Sequence, residues 1–290
     1  MKTFALLACS VGFSFAFTAD KPAYRLFDQA QKEVLYRDVI RKLSTADVVL
    51  FGEIHNNPVC HWLELQVTKD LYTSAKGRLV LGAEMFEADD QLVVDEYLKG
   101  LLTASQLEAE AKVWDNFRTD YRPLLDFALA KQLSFVATNV PRRYASLVAR
   151  NDLPALDGLN AEAKKWIAPL PVTVDLTLPG YANMLQAMGG SAHGGSNAAN
   201  LAKAQAIKDA TMAHFIRQNR KAGQLFLHYN GAYHSNHYEG IGWYLKQQDP
   251  SLKIVTISSV EQEDIGKLEE ANYRLADFTV CIPADMTKTH

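Results

Sequence analysis

Cysteine is scarce: three in 290 residues, at positions 9, 60 and 281, are too few for a disulfide framework. Cys60 lies in a helical pattern and Cys281 in the apolar run FTVCIP, so both read as buried free thiols. Charge of one sign is also lacking, since 30 Lys and Arg against 33 Asp and Glu leave a formal net charge of -3. With no long basic run, the electrostatic footprint of a nucleic-acid binder is missing, and nucleic acid is not an expected partner. No apolar stretch reaches the roughly 20 residues of a membrane-spanning helix. No segment repeats at a fixed period. What is present is ordinary for a globular chain, 48% hydrophobic and 22% charged, and long enough for one large domain or two small ones.

Phe4 to Phe17 carries no charge and follows the basic start Met1-Lys2-Thr3. That length fits a signal peptide, whose apolar part spans about 7–15 residues. Residues 1–19 are therefore read as a signal with cleavage near Ala19. Alternatively Leu6-Leu7-Ala8-Cys9, which resembles a bacterial lipobox, makes residues 1–8 a lipoprotein signal and Cys9 an acylated anchor to the membrane. Export, to the periplasm or as an anchored lipoprotein, is expected either way.

Six strand-length apolar segments recur: Val48–Gly52, Leu79–Ala83, Ser134–Asn139, Gln224–Tyr229, Lys253–Ile257 and Phe278–Ile282. Continuous apolar runs mark strands covered on both faces. Helical patterns alternate with them, such as Val59–Leu71, Tyr121–Lys131 and Ala204–Asn219. The expectation is an α/β fold with a mainly parallel central sheet flanked by helices, built as a single domain over residues 24–290. The lead-in YRLFDQAQKEVLYRDVIRKL is predicted to make a short hairpin and then a helix. Excursions near 89–116 and 153–202 are too long for simple crossovers and read as a helical insertion or lid.

Ligand sites in open α/β sheets lie beyond the carboxyl ends of strands. After the first apolar run come Glu53, His55, Asn56 and Asn57; after the second, Glu84, Glu87, Asp89 and Asp90. The third is followed by Arg142, Arg143 and Tyr144, and the fourth by Asn230, Tyr233, His234, His237 and Glu239. Taken singly, each has a bland explanation in an ion pair or a helix cap. Several ionisable groups at one edge cost stability unless they pair or bind something.

Gly52-Glu53-Ile54-His55 and Gly231-Ala232-Tyr233-His234 are both Gly-x-x-His. Glycine leaving a strand permits a sharp turn and close approach. His55 and His234 with Glu53 or Glu84 make a plausible first shell for a divalent metal ion, which would acidify a bound water for hydrolysis. In that reading Glu53, Glu84 and Arg142 are the catalytic groups, the glutamates as general base and the guanidinium against anionic charge.

LFGEIHNNPVCHWLE, GAEMF, ATNVPRRYASLV and FLHYNGAYH together resemble the ChaN-like family of haem-binding uptake proteins, in the Tiki and erythromycin-esterase superfamily with paired Gly-x-x-His motifs. The resemblance runs from about Tyr24 to about Pro283 and places Glu53, His55, Glu84, Arg142 and His234 in the shared polar cluster. It implies an exported haem- or iron-compound-binding protein of a bacterial iron-uptake system, with a tyrosinate–iron bond and haems paired at a homodimer interface. Tyr181, Tyr233 and Tyr144 are the candidate tyrosines, and His193 or His237 could approach from a partner chain. Arg142 and Arg143 could hold propionates, or as easily neutralise Glu53 and Glu84. The stretch YANMLQAMGGSAHGG, with Tyr181, Met184, Met188 and His193, suits a flat apolar ligand. The competing reading has Met184 and Met188 packing a helix into the core and the glycines as a linker. A binding protein is favoured, with a metal-dependent hydrolase and a non-catalytic scaffold as rivals.

Overall fold

Seven strands run through the computed structural model, which describes residues 20–187 and 195–290: β1 (Arg25–Asp28), β2 (Val48–Glu53), β3 (Leu79–Glu87), β4 (Phe135–Asn139), β5 (Leu225–Gly231), β6 (Ile254–Gln262) and β7 (Phe278–Pro283). They form one sheet in the order β1-β7-β6-β2-β5-β3-β4. Among the described residues β1 pairs antiparallel with β7 and all other pairings are parallel. The helices are α1 (Tyr36–Leu43), α2 (Pro58–Ser74), α3 (Gln91–Leu98), α4 (Ala104–Glu110), α5 (Arg122–Lys131), α6 (Arg142–Asn151), α7 (Ala161–Lys164), α8 (Pro179–Ala187), α9 (Gly195–Asn219) and α10 (Ile241–Gln248).

Every residue of β2, β3 and β5 is buried. Successive side chains point to opposite faces, so the strands feed two cores. Val49, Phe51, Leu81 and Leu227 pack under α1 to α5, whereas Val48, Leu50, Val80 and Phe226 pack under α6, α9 and α10. Such double cover explains the unbroken apolar runs. The mainly parallel sheet expected from the sequence is present, as is the lead-in hairpin, closed by a bridge between Phe27 and Glu33.

Three boundaries differ most from expectation. β3 continues past Ala83 to Glu87, through an irregularity after which Glu87 faces Asn139 of β4. β6 runs to Gln262 because Ser258, Ser259 and Glu261 still pair with β7. Polarity ended both runs in the sequence, although Glu84, Ser258 and Ser259 are buried. The helix expected over Ala204–Asn219 begins already at Gly195, within the stretch read as a linker. Residues 1–19, with Cys9 and the lipobox-like run, lie outside the described residues, as do Met188 and His193. No described helix is long and apolar enough to cross a membrane. Cys60 and Cys281 are free and buried.

Candidate functional site

Chain order would separate the two Gly-x-x-His motifs; sheet order joins them. β5, made late in the chain, inserts between β2 and β3 and pairs with both. Glu53 at the end of β2 stands opposite Gly231 at the end of β5. His55, Glu84 and His234 consequently wall one cavity of about 550 Å³ over the carboxyl edge, the place where open α/β sheets bind ligands.

The two glycines interlock. A Cβ on Gly231 would stand 2.8 Å from Nε2 and Cε1 of His55. A Cβ on Gly52 would stand 2.9 Å from Cα of Ala232 and from the Ile257 carbonyl oxygen. Each motif's glycine thus makes room for the other motif. Gly231 has an ordinary φ of -55°, so close approach and not a turn is what excludes a side chain here.

Both imidazoles are held in the same way. Tyr121 donates its hydroxyl proton to Glu53 Oε1 at 2.7 Å, and His55 Nδ1 lies 2.6 Å from that oxygen. Tyr181 donates to Asp209 Oδ2 at 2.6 Å, and His234 Nδ1 lies 2.6 Å from Asp209 Oδ1. A carboxylate at Nδ1 fixes the proton there and turns Nε2 inward. His234 Nε2 faces Glu84 Oε1 at 3.2 Å, while Glu84 Oε2 accepts the Gly231 N–H at 2.8 Å.

The charges follow from this packing. Burial alone would drive the His234 proton off, but Glu84 and Asp209 hold it and push the imidazole up to about 10. Burial alone would also raise Glu84, yet His234, then His55 and the Gly231 N–H keep it well below the usual carboxylate range. His55 is raised because the Glu53 and Glu84 carboxylates outweigh its own burial.

Behind His55 lies a second polar layer. His61 Nε2 bonds the His55 carbonyl oxygen at 3.1 Å, and Asn116 Nδ2 donates to the same oxygen at 2.7 Å. His61 Nδ1 lies 3.0 Å from Glu64 Oε2 and 3.6 Å from Glu53 Oε2. Glu53 is pushed up to about 8 by burial and then by the charge of Glu64; Glu64 is pushed up to about 8 by burial, with Asp120 adding to it.

Apolar and cationic groups complete the cavity. Met85, Val140, Met184 and Trp114 form walls, with the His55 ring edge-on to Trp114 at 4.7 Å. Tyr233, 41% exposed, lines the cavity and donates its hydroxyl to the Gly180 carbonyl oxygen at 2.8 Å. Arg142 and Lys208 also line it. Neither Arg142 nor Arg143 reaches Glu53 or Glu84; Arg143 pairs instead with Asp89 at 2.6 Å and covers the Tyr144 ring at 4.5 Å.

The sequence candidates therefore divide. Glu53, His55, Glu84, Arg142, Tyr233 and His234 are brought together. Arg143 and Tyr144 stack on each other away from the cavity wall. His237 sits in a left-handed turn with φ 58° and its amide on the Leu275 carbonyl, likewise off the wall. Tyr181 is 3% exposed with its hydroxyl spent on Asp209, so it backs His234 and does not face a ligand. Met184 both packs against Tyr181 and lines the cavity. His55, His234, Glu53 and Glu84 share the edge, but among the described residues the ligand atoms that all fall within 4.8 Å of one another are those of Glu53, His61 and Glu64.

Tyr121, Asp209, His61, Glu64 and Lys208 escaped the sequence reading. Asp209 carried a signal: it is the sole acid in the helical run 204–219 and falls beside Ala206, Ala210 and Ala213, on the core face. His61 and Glu64 carried a similar one, spaced i, i+3 within the buried stripe of Cys60, Leu63 and Val67.

The fold is thus that of an α/β protein with an edge cavity lined by a phenol, two cations, apolar walls and the carboxyl groups of Glu53, Glu84 and Glu87. The chain belongs to the haem-binding uptake family ChaN of the Tiki superfamily, whose pattern matches residues 39–245. It is similar in fold to ChaN of Campylobacter jejuni in the structure describing cofacial haem binding, with a TM-score of 0.67 at 18% identity over 89% of this chain and 96% of that one. More distant likenesses are to a Bacillus cereus protein (TM-score 0.46, 15% identity, 81% and 74% covered) and to an erythromycin esterase variant in its open conformation (TM-score 0.45, 11% identity, 90% and 83% covered). No curated protein matches the chain at a significant level.

Proposed function

We propose that this chain is an exported protein of a bacterial iron-uptake system that takes haem, or a related iron compound, into the cavity over β2, β5 and β3. Membership of the haem-binding family supports the ligand class. The observation that carries the placement is Tyr233, a half-exposed phenol lining a cavity that Met85, Val140, Met184 and Trp114 line as its apolar part and Glu53, His55, Glu84 and His234 as its polar part. Ferric haem takes tyrosine as an axial ligand and needs an apolar slot with cations for its propionates. Arg142 and Lys208 are placed to supply those cations. The phenol is held protonated, pushed up to about 12 by burial and then by Asp209 and Glu239, so haem uptake is expected to release a proton. Haem binding to the Campylobacter jejuni protein is cofacial, and haem paired face to face between two copies of this chain is the arrangement this reading favours.

Titration with hemin tests the proposal. A saturable Soret band is expected, with a different position in Tyr233→Phe. Nonspecific absorbance, or the same band in both proteins, would remove it.

The duplicated tyrosine–carboxylate–imidazole array favours a second reading, a divalent-metal-dependent hydrolase. There His55 and His234 hold the ion, Glu84 or Glu53 is the general base and Arg142 meets the developing negative charge. The carboxylate at each Nδ1 is the usual support of a metal-binding imidazole. That reading requires a bound ion that His234→Gln loses, together with ester or peptide cleavage that stops in the same variant.

A further inference from the structure

We propose that a divalent transition-metal ion binds beneath the floor of the cavity, held by Glu53, His61 and Glu64, at a site separate from the paired Gly-x-x-His edge.

The argument starts from hydrogen-bond roles. His61 Nε2 faces two oxygens, the His55 carbonyl at 3.1 Å and Asp120 Oδ2 at 3.4 Å. Neither can donate, so Nε2 carries a proton, and in the neutral form of the ring Nδ1 is a lone pair. That lone pair points at Glu64 Oε2, 3.0 Å away, and Glu53 Oε2, 3.6 Å away. Nδ1 and the two carboxyl groups therefore meet at one point, and Glu53 Oε2 and Glu64 Oε1 have no hydrogen-bond partner. Water is not at hand to compensate: Glu53 is 2% exposed, Glu64 0% and His61 5%. Two carboxyl groups buried side by side are costly to ionise unless a cation faces both. A divalent ion supplies that charge and satisfies all three groups at once.

The donor set suits such an ion. One imidazole nitrogen and two carboxylates, with ligand atoms all within 4.8 Å of one another, form an N/O shell of the kind zinc and its neighbours take. Orientation is provided too. The imidazole proton on a backbone carbonyl fixes the ring so that Nδ1 faces the ion. Glu53 would then bridge two layers, with Oε2 on the ion below and Oε1 on Tyr121 and His55 above. The ion would thereby hold His55 in place from the rear.

The experiment uses the full chain, equilibrated with Zn2+, Co2+ or Mn2+ and freed of loose ion by dialysis. Elemental analysis should find one ion per chain, and Co2+ should show the visible d–d absorption of a low-coordinate nitrogen–oxygen site. Glu64→Gln should lose both signals; Tyr233→Phe and His234→Gln should keep both. Wild-type chain that retains no ion, or Glu64→Gln that retains the full complement, would overturn the proposal and leave only a shared proton at the cluster. Should Glu64→Gln fail to fold, the wild type decides alone. Chelation must then lower its thermal midpoint and Zn2+ restore it, and an unchanged midpoint counts against the site. Hemin titration of the same samples reports independently on the cavity, so the two readings fail separately.

Discussion

Gly231 is tightly constrained, because a Cβ there would collide with the His55 ring. Gly231→Ala must displace the imidazole from Glu53 or distort β5, at a cost of about 1–3 kcal/mol typical of overpacking. Urea unfolding of the variant measures the loss, and an unchanged midpoint would refute the interlock. Asp209 sets the state of His234. In Asp209→Asn one of the two carboxylates that hold the imidazolium is gone, so the His234 ring should titrate at lower pH, with NMR of its ring protons as the readout. Glycine and histidine at a fixed spacing were visible in the sequence. Their partners were not, because Asp209 and Tyr121 are brought by helices whose approach to the edge depends on packing far from either motif. Tyr181 shows the reverse error: its neighbours in sequence suggested a ligand, whereas its hydroxyl is consumed by Asp209.

The elements were legible where apolar runs were continuous, and their order in the sheet was not. Nothing local to LFLHYNG announces that β5 enters between β2 and β3, since that choice is made by pairing across long stretches of chain. Local chemistry was more informative at α2. Asn57 accepts from the Val59 and Cys60 amides at 3.0 and 3.4 Å, and Pro58 occupies the first turn, where its missing N–H costs nothing. The Asn57 amide also donates to Glu261 Oε1 at 2.6 Å, tying the helix start to β6. Asn57→Ala should cost about 1 kcal/mol through the cap, with a further loss that Glu261→Ala, which removes the acceptor, should make visible as non-additivity in a double-mutant cycle. Strict additivity would show that the tie contributes nothing.

For the molecule as a whole, the buried acids and His234 shape stability against pH. His234 titrates near 6.5 when free and about 10 when folded, so its contribution is complete below 6.5 and lost as pH rises through 10. Glu53 and Glu64, raised from 4.5 to about 8, likewise lose their contribution as pH climbs through 8. Glu84, lowered, opposes them only on the acid side. The metal-free chain should therefore melt at a lower temperature in mildly alkaline than in mildly acidic buffer; a higher alkaline midpoint would contradict the charge assignments.

The central claim is that two distant motifs close into one cavity and that haem enters it. Ala232 lines the cavity between Gly231 and Tyr233, so Ala232→Phe would place a ring where the ligand belongs. Hemin titrated into wild-type and Ala232→Phe proteins, with folding checked by circular dichroism, tests that claim directly. The account predicts saturable binding by the wild type and its loss in the folded variant; equal affinity in both would mean that haem, if bound, binds elsewhere.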